Sequence, residues 1–137
     1  MFGKSMNKID YSDDDDFYNQ GFEHEGIVSI WTGLSDEKTD MELDILQNQC
    51  GIGYYQLDNQ EINYLNFELV PIELLIKDLS YSSSFKNNVI HQAYLKGMDH
   101  CKWVIAQYDF KYDPLKVKRP IKNDPIFIGY FPYISIE

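Results

Sequence analysis

Apolar positions along the chain follow two different periods, and the switches between them divide it into elements. Gly26 to Gly33 reads GIVSIWTG, with Ile27, Val28, Ile30 and Trp31 crowded between glycines, the pattern of a core strand. Thr39-Asp40-Met41-Glu42 fits a capping box, in which the threonine accepts an amide three residues on and the glutamate reaches back. Met41, Ile45 and Leu46, with Leu43 and Cys50, share a helical face, so the spacing predicts a helix over 39–50 closed by Gly51. Pro71 suits the first turn of a second helix over 71–79, where Ile72, Leu75, Ile76 and Leu79 recur at helical spacing. Ser82 to Ser84 offers an N-cap for a third, whose apolar rows are Phe85, Val89, Ala93 and Ile90, Tyr94, and which Gly97 ends.

The period then returns to two. In Cys101 to Phe110, alternation puts Cys101, Trp103, Ile105, Gln107 and Asp109 on one side and Lys102, Val104, Ala106, Tyr108 and Phe110 on the other. Both sets hold bulky apolar groups, so both faces of this strand are expected to be covered. Asp113-Pro114 stops it, and Asp124-Pro125 precedes a third strand over 126–134. Residues 52–70 show no clear period: Asp58-Asn59-Gln60 marks a turn, and Ile62 to Val70 reads as a strand or an irregular edge. Strands and helices do not alternate regularly. The expected fold is therefore α+β, a small, mostly antiparallel sheet with helices packed on one face.

At 137 residues the chain has the size of one domain. Residues 1–25 carry two basic against seven acidic side chains, including the run Asp13 to Asp16, and read as an acidic, flexible arm ahead of a single domain over 26–137. Tyr11, Phe17, Tyr18 and Phe22 within the arm are able to pin part of it to the body. The whole chain has a net charge of −10, which repels nucleic acid and anionic membrane and attracts basic partners. No apolar leader opens the sequence and no stretch approaches the roughly 20 apolar residues of a membrane helix, so a cytoplasmic protein with reduced thiols is expected.

Candidate chemistry is sparse. Gly51-Ile52-Gly53 lacks the further glycine and Lys-Ser/Thr pair of a phosphate loop and reads as a helix stop with a turn. His24, His91, His100, Cys50 and Cys101 show no metal-ligand spacing, so no metal and no cofactor are expected. Cys101 heads an apolar strand, where a free cysteine packs as a small hydrophobe rather than serving as a nucleophile. Asp36, Glu37, Asp40, Glu42 and Asp44 cluster opposite Lys38 alone. They read both as a solvated helix face and as a patch for a basic partner. Residues 111–122 are the exception in charge, with five basic side chains against Asp113.

Trp31 in its strand and the Cys101-Lys102-Trp103 triplet opening another together resemble the immunity protein 22 family of bacterial polymorphic toxin systems. The resemblance runs over about residues 26–134 and rests on a tryptophan and a short CxW motif in a small acidic chain. It implies an α+β protein, not an enzyme, that binds a cognate toxin and blocks it. A basic, nuclease-like toxin would match the charge of this chain. Asp36 to Asp44 are then the expected electrostatic contact, and residues near Trp31 the anchor. Trp31, Trp103 and Cys101 themselves read as core. Two other readings compete: a small ligand-binding or enzymatic domain with an aromatic-lined pocket, and a general protein-interaction module.

Overall fold

The two longest apolar runs pair with each other. The structure, a computed structural model describing residues 17–35 and 44–135, places β1 at Glu23–Gly33, α1 at Ile45–Cys50 and β2 at Gln60–Tyr64. A two-residue strand β3 (Val70–Pro71) leads into α2 (Ile72–Ile76) and α3 (Lys86–Leu95), followed by β4 (His100–Cys101), β5 (Trp103–Phe110) and β6 (Ile126–Pro132). β1 and β5 lie antiparallel in register from Val28↔Tyr108 to Gly33↔Trp103. β6 adds to the free side of β1 and β2 to the free side of β5, giving the order β2-β5-β1-β6, antiparallel throughout. β3 and β4 form a separate small pair, with Val70 opposite Cys101. The α+β class and the antiparallel sheet are those the sequence predicts.

Alternation sends side chains of the central strands into two clusters. Val28, Ile30, Val104, Ala106 and Tyr108 face α2 and α3, meeting Leu75, Ile76, Phe85, Val89 and Ala93. Trp31, Trp103 and Ile105 face the other way, onto Leu46 and Cys50 of α1, Ile52, Phe110 and Tyr112. Each face of a β-sheet must bury its apolar row against another layer, and here both rows do. α2 and α3 share one face, as expected. α1 departs from the one-face arrangement: it lies on the opposite face, because the tryptophan row needs cover there.

Two breaks correct the expected alternation of the β5 region. Cys101 belongs to the cluster of Val104, not to that of Trp103, because the chain bends at Lys102 and β4 leaves the main sheet for β3. Phe110 belongs with Trp103, because Asp109 takes a left-handed conformation (φ 58°) that resets the period. The ladder shifts register at the same place, between Glu23 and Val28 of β1. Buried Ser29 satisfies the backbone left over: its hydroxyl donates to the Phe110 carbonyl at 2.7 Å and accepts the Tyr112 amide at 3.0 Å.

α1 is shorter than the expected helix over 39–50. Asp44 has extended backbone and its side chain accepts the Gln47 amide at 3.1 Å, so Asp44 is the N-cap and the helix starts at Ile45. Thr39 and Glu42 of the expected capping box lie outside the described residues. Gly51 ends the helix in the left-handed conformation, as its position in the sequence predicts. Pro71 precedes α2 as its cap, and the helix closes at Ile76 rather than Leu79, although Leu79 remains buried.

Gly33 is small for a reason of packing. The Trp103 indole lies directly across the strand pair, and a Cβ on residue 33 would fall 2.0 Å from two of its ring atoms. Gly33→Ala is therefore expected to destabilise the protein by about 1–3 kcal/mol through overpacking. A urea melt would read this as a lower midpoint at unchanged slope. An unchanged midpoint would mean that the indole shifts freely and does not depend on the glycine.

Candidate functional site

The residues that carry the family resemblance are spent on the interior. Trp31 is 1% exposed and Trp103 6%, and Cys101 is fully buried. The Trp31 ring packs at 5.1 Å from Tyr112 and 5.4 Å from Phe127, so it offers no surface to a partner. Trp103 adds a polar duty: its Nε1–H donates to the Ser35 carbonyl at 2.8 Å. Asp124 completes that anchorage by accepting the amides of Leu34 at 2.8 Å and Ser35 at 3.3 Å.

Of the acidic stretch, Asp36, Glu37, Asp40 and Glu42 lie outside the described residues. Asp44 is placed, with both carboxylate oxygens engaged. Besides capping α1 it accepts the Tyr55 hydroxyl at 2.8 Å. Burial, and then the charge of Asp44, raise the Tyr55 pKa, which keeps that hydroxyl a donor. Ser35 and Asp44 thus fix the two points where the stretch joins the body.

The basic stretch 111–122 is partly structural. Buried Arg119 donates to the Gly51 carbonyl at 3.1 Å, Tyr112 donates to the Cys50 carbonyl at 2.7 Å, and the Lys122 amide donates to the Gln49 carbonyl at 2.8 Å. These bonds satisfy the carbonyls that a helix C-terminus leaves open. Lys111 lies 5.0 Å from the Tyr130 ring, a cation–π contact at the sheet surface.

The structure brings together residues that the sequence keeps apart. Residues 17–22 lead into β1, pinned by buried Phe17 and Phe22. Gln20 bridges to the turn after α1, donating to the Gly51 carbonyl at 3.0 Å and accepting the Gly53 amide at 2.7 Å. The Tyr54 amide donates to the Phe17 carbonyl at 2.8 Å, and residue 53 must be glycine because a Cβ would meet that same carbonyl at 2.4 Å. Between this segment and the loop at 54–59 run two adjoining depressions of about 340 and 380 Å³ that share Glu23. The first carries the rings of Tyr18 and Tyr54, 5.5 Å apart and both exposed. The second is lined by Glu23, Glu25 and Asp109, with His24, Gln56 and Asn59.

Asp109 is fixed in this groove. Its Oδ1 accepts the Gly26 amide at 2.9 Å and the Tyr133 hydroxyl at 2.6 Å. Among the described residues Glu23 and Glu25 make no hydrogen bond or ion pair through their carboxylates. Sequence reading misses this groove because its walls come from residues 18–25, 54–59 and 109. The glutamates are counted there with the arm, and Asp109 as an alternating strand position. The left-handed Asp109 has no sequence signal beyond the tolerance of aspartate for that conformation.

Neither thiol is a ready nucleophile. Burial pushes the Cys101 pKa up to about 12, and burial followed by the charges of Asp44 and Asp124 pushes Cys50 higher still. Among the described residues no group of three or more His, Cys, Asp or Glu side chains could hold a metal ion. No helix among them is long and apolar enough to cross a membrane.

The signature of one family, described as Immunity protein 22, matches residues 44–133, about two-thirds of the chain. The chain belongs to the Immunity protein 22 family. The match takes in Cys101 and Trp103 but begins after Trp31, although β1 supplies the centre of the sheet. No curated protein and no solved structure matches the chain. In this immunity protein 22 chain the CxW residues hold the fold together: cysteine in one cluster, tryptophan in the other.

Two outcomes follow from this placement. Trp31→Ala should cost about 3–5 kcal/mol of stability in a denaturant melt, where loss of a surface anchor would leave the melt unchanged. At pH 8 neither thiol should react with a disulfide reagent until the protein is unfolded, since each is protonated in the folded state and nearer its ordinary range when exposed. Prompt reaction of the folded protein would contradict that burial.

Proposed function

We propose that this chain binds a cognate toxin domain one-to-one and neutralises it, acting by occupancy and not by catalysis. Its membership of the Immunity protein 22 family carries the reading. The charge of the chain supports the choice of partner: at net −10 it complements a basic surface such as that of a nuclease facing nucleic acid. An acidic inhibitor of this kind mimics the charge of the substrate and is steered to its target, so it associates quickly. The buried, protonated thiols support binding over nucleophilic chemistry.

Asp36, Glu37, Asp40 and Glu42 are proposed to contribute long-range attraction through their charge. The part of Asp44 is different: it holds the start of α1 and, through Tyr55, the loop at 54–59. The protein is proposed to act in the cytoplasm of the producing cell, in front of a toxin encoded beside it.

Co-expression with that toxin domain tests the reading. Survival of a sensitive host should depend on this protein, and a one-to-one complex should co-purify. Its association rate should fall steeply, by about tenfold or more, as salt rises from roughly 0.05 to 0.5 M, with a smaller change in dissociation. Soluble expression without rescue would contradict the immunity role. Rescue with a salt-independent rate would leave that role standing and remove the electrostatic account of it.

A further inference from the structure

The groove at the end of the central β1–β5 pair has the chemistry of a receptor for arginine. We propose that it receives a basic segment of the toxin, with an arginine guanidinium lying against Tyr18 and Tyr54 and basic side chains paired with Glu23, Glu25 and Asp109. This deepens the immunity reading and rests on it, by naming the face that engages the toxin.

Four observations converge on this occupant. First, the two exposed tyrosine rings stand 5.5 Å apart at the mouth of a depression of about 340 Å³. Rings in that setting favour a planar, weakly hydrated cation over a compact ammonium. Second, three carboxylates line the adjoining depression with no lysine or arginine among its lining residues. Among the described residues two of them, Glu23 and Glu25, make no hydrogen bond or ion pair through their carboxylates, which suits them to an incoming cation. Third, these carboxylates do not converge tightly enough to hold a metal ion. Spaced acids beside aromatic rings suit an extended segment with several cations, where a divalent ion would need its ligands gathered.

The fourth observation is rigidity. Asp109 is held by the Gly26 amide and the Tyr133 hydroxyl, both on Oδ1, which leaves Oδ2 without a bond among the described residues. The Tyr133 hydroxyl is kept protonated by burial first and then by Asp109 itself, so the donor persists. The opposite wall is fixed through Gln20, Gly53 and the Tyr55–Asp44 bond. A receptor positioned before binding loses less freedom when it binds. The acidic stretch ends at Asp44, which is tied to Tyr55 between the groove residues Tyr54 and Gln56.

The test uses the full chain and the catalytically inactivated toxin domain encoded beside it, by titration calorimetry and stopped-flow association. Three variants are compared with wild type: Glu23→Lys with Glu25→Lys, Tyr18→Ala with Tyr54→Ala, and, as a control of equal charge change, exposed Glu68→Lys with Glu73→Lys. The groove charge reversal should weaken binding about a hundredfold, and the tyrosine pair about tenfold, mainly by faster dissociation. The control should change it less than about threefold. Circular dichroism and a urea melt verify folding, and Glu25→Gln with Tyr54→Ala replaces any groove variant that does not fold. Wild-type affinity in the groove variants would overturn the proposal and leave the immunity reading intact. Equal losses in groove and control variants would also overturn it, since only net charge would then matter. A wild-type chain that does not bind the toxin at all would sink the immunity reading, and this proposal with it.

Discussion

Burial of both faces of the β1–β5 ladder is the constraint from which the rest of the molecule follows. The two strands are far apart in sequence, and each contributes apolar side chains to both sides of the sheet. One side is closed by α2 and α3, the other by α1 with the turns that carry Ile52 and Tyr112. Neither layer is long enough to be stable alone: α1 has six residues and α2 five, well under what an isolated helix needs. They persist because the strands offer them an apolar surface. The same constraint absorbs the family's signature residues. Cys101 and Trp103 lie either side of the bend at Lys102, one in each cluster, so the triplet joins the two halves of the core.

Strong periodicity made much of this legible from the sequence. The run GIVSIWTG, the row Phe85, Val89, Ala93 and the two-sided stretch from Trp103 to Tyr108 form as their spacing predicts, because each buries its apolar row. Local signals failed where tertiary context supplied the answer. α1 starts at Ile45 with Asp44 as its cap, and the same carboxylate is held from outside the helix by Tyr55. β2 is a five-residue strand of half-buried character, whose pairing with β5 fixes what its own composition does not. The resets at Lys102 and Asp109 each move one side chain to the other face, and no count of alternating positions anticipates them.

Function was legible in charge and family but not in place. The family implies a cognate toxin as partner, and the net charge of −10 is the ground for proposing that it is basic. The proposed face depends on three-dimensional neighbours: tyrosines of residues 18 and 54, glutamates at the start of β1, and Asp109 in its left-handed conformation. Structural use removes other candidates from that role. Trp31 is enclosed by Tyr112 and Phe127, Asp44 has both oxygens occupied, and Arg119 caps a helix. Among the described residues, the groove along residues 17–25 and 54–59 sets exposed tyrosine rings beside carboxylates.

Hydrogen–deuterium exchange of the free protein against its complex with the toxin domain tests this account most directly. New protection on binding should concentrate in the amides of residues 18–26 and 54–60, with little change in α3. Protection confined to α3 and the β6 edge, with the groove exchanging as it does in the free protein, would contradict it.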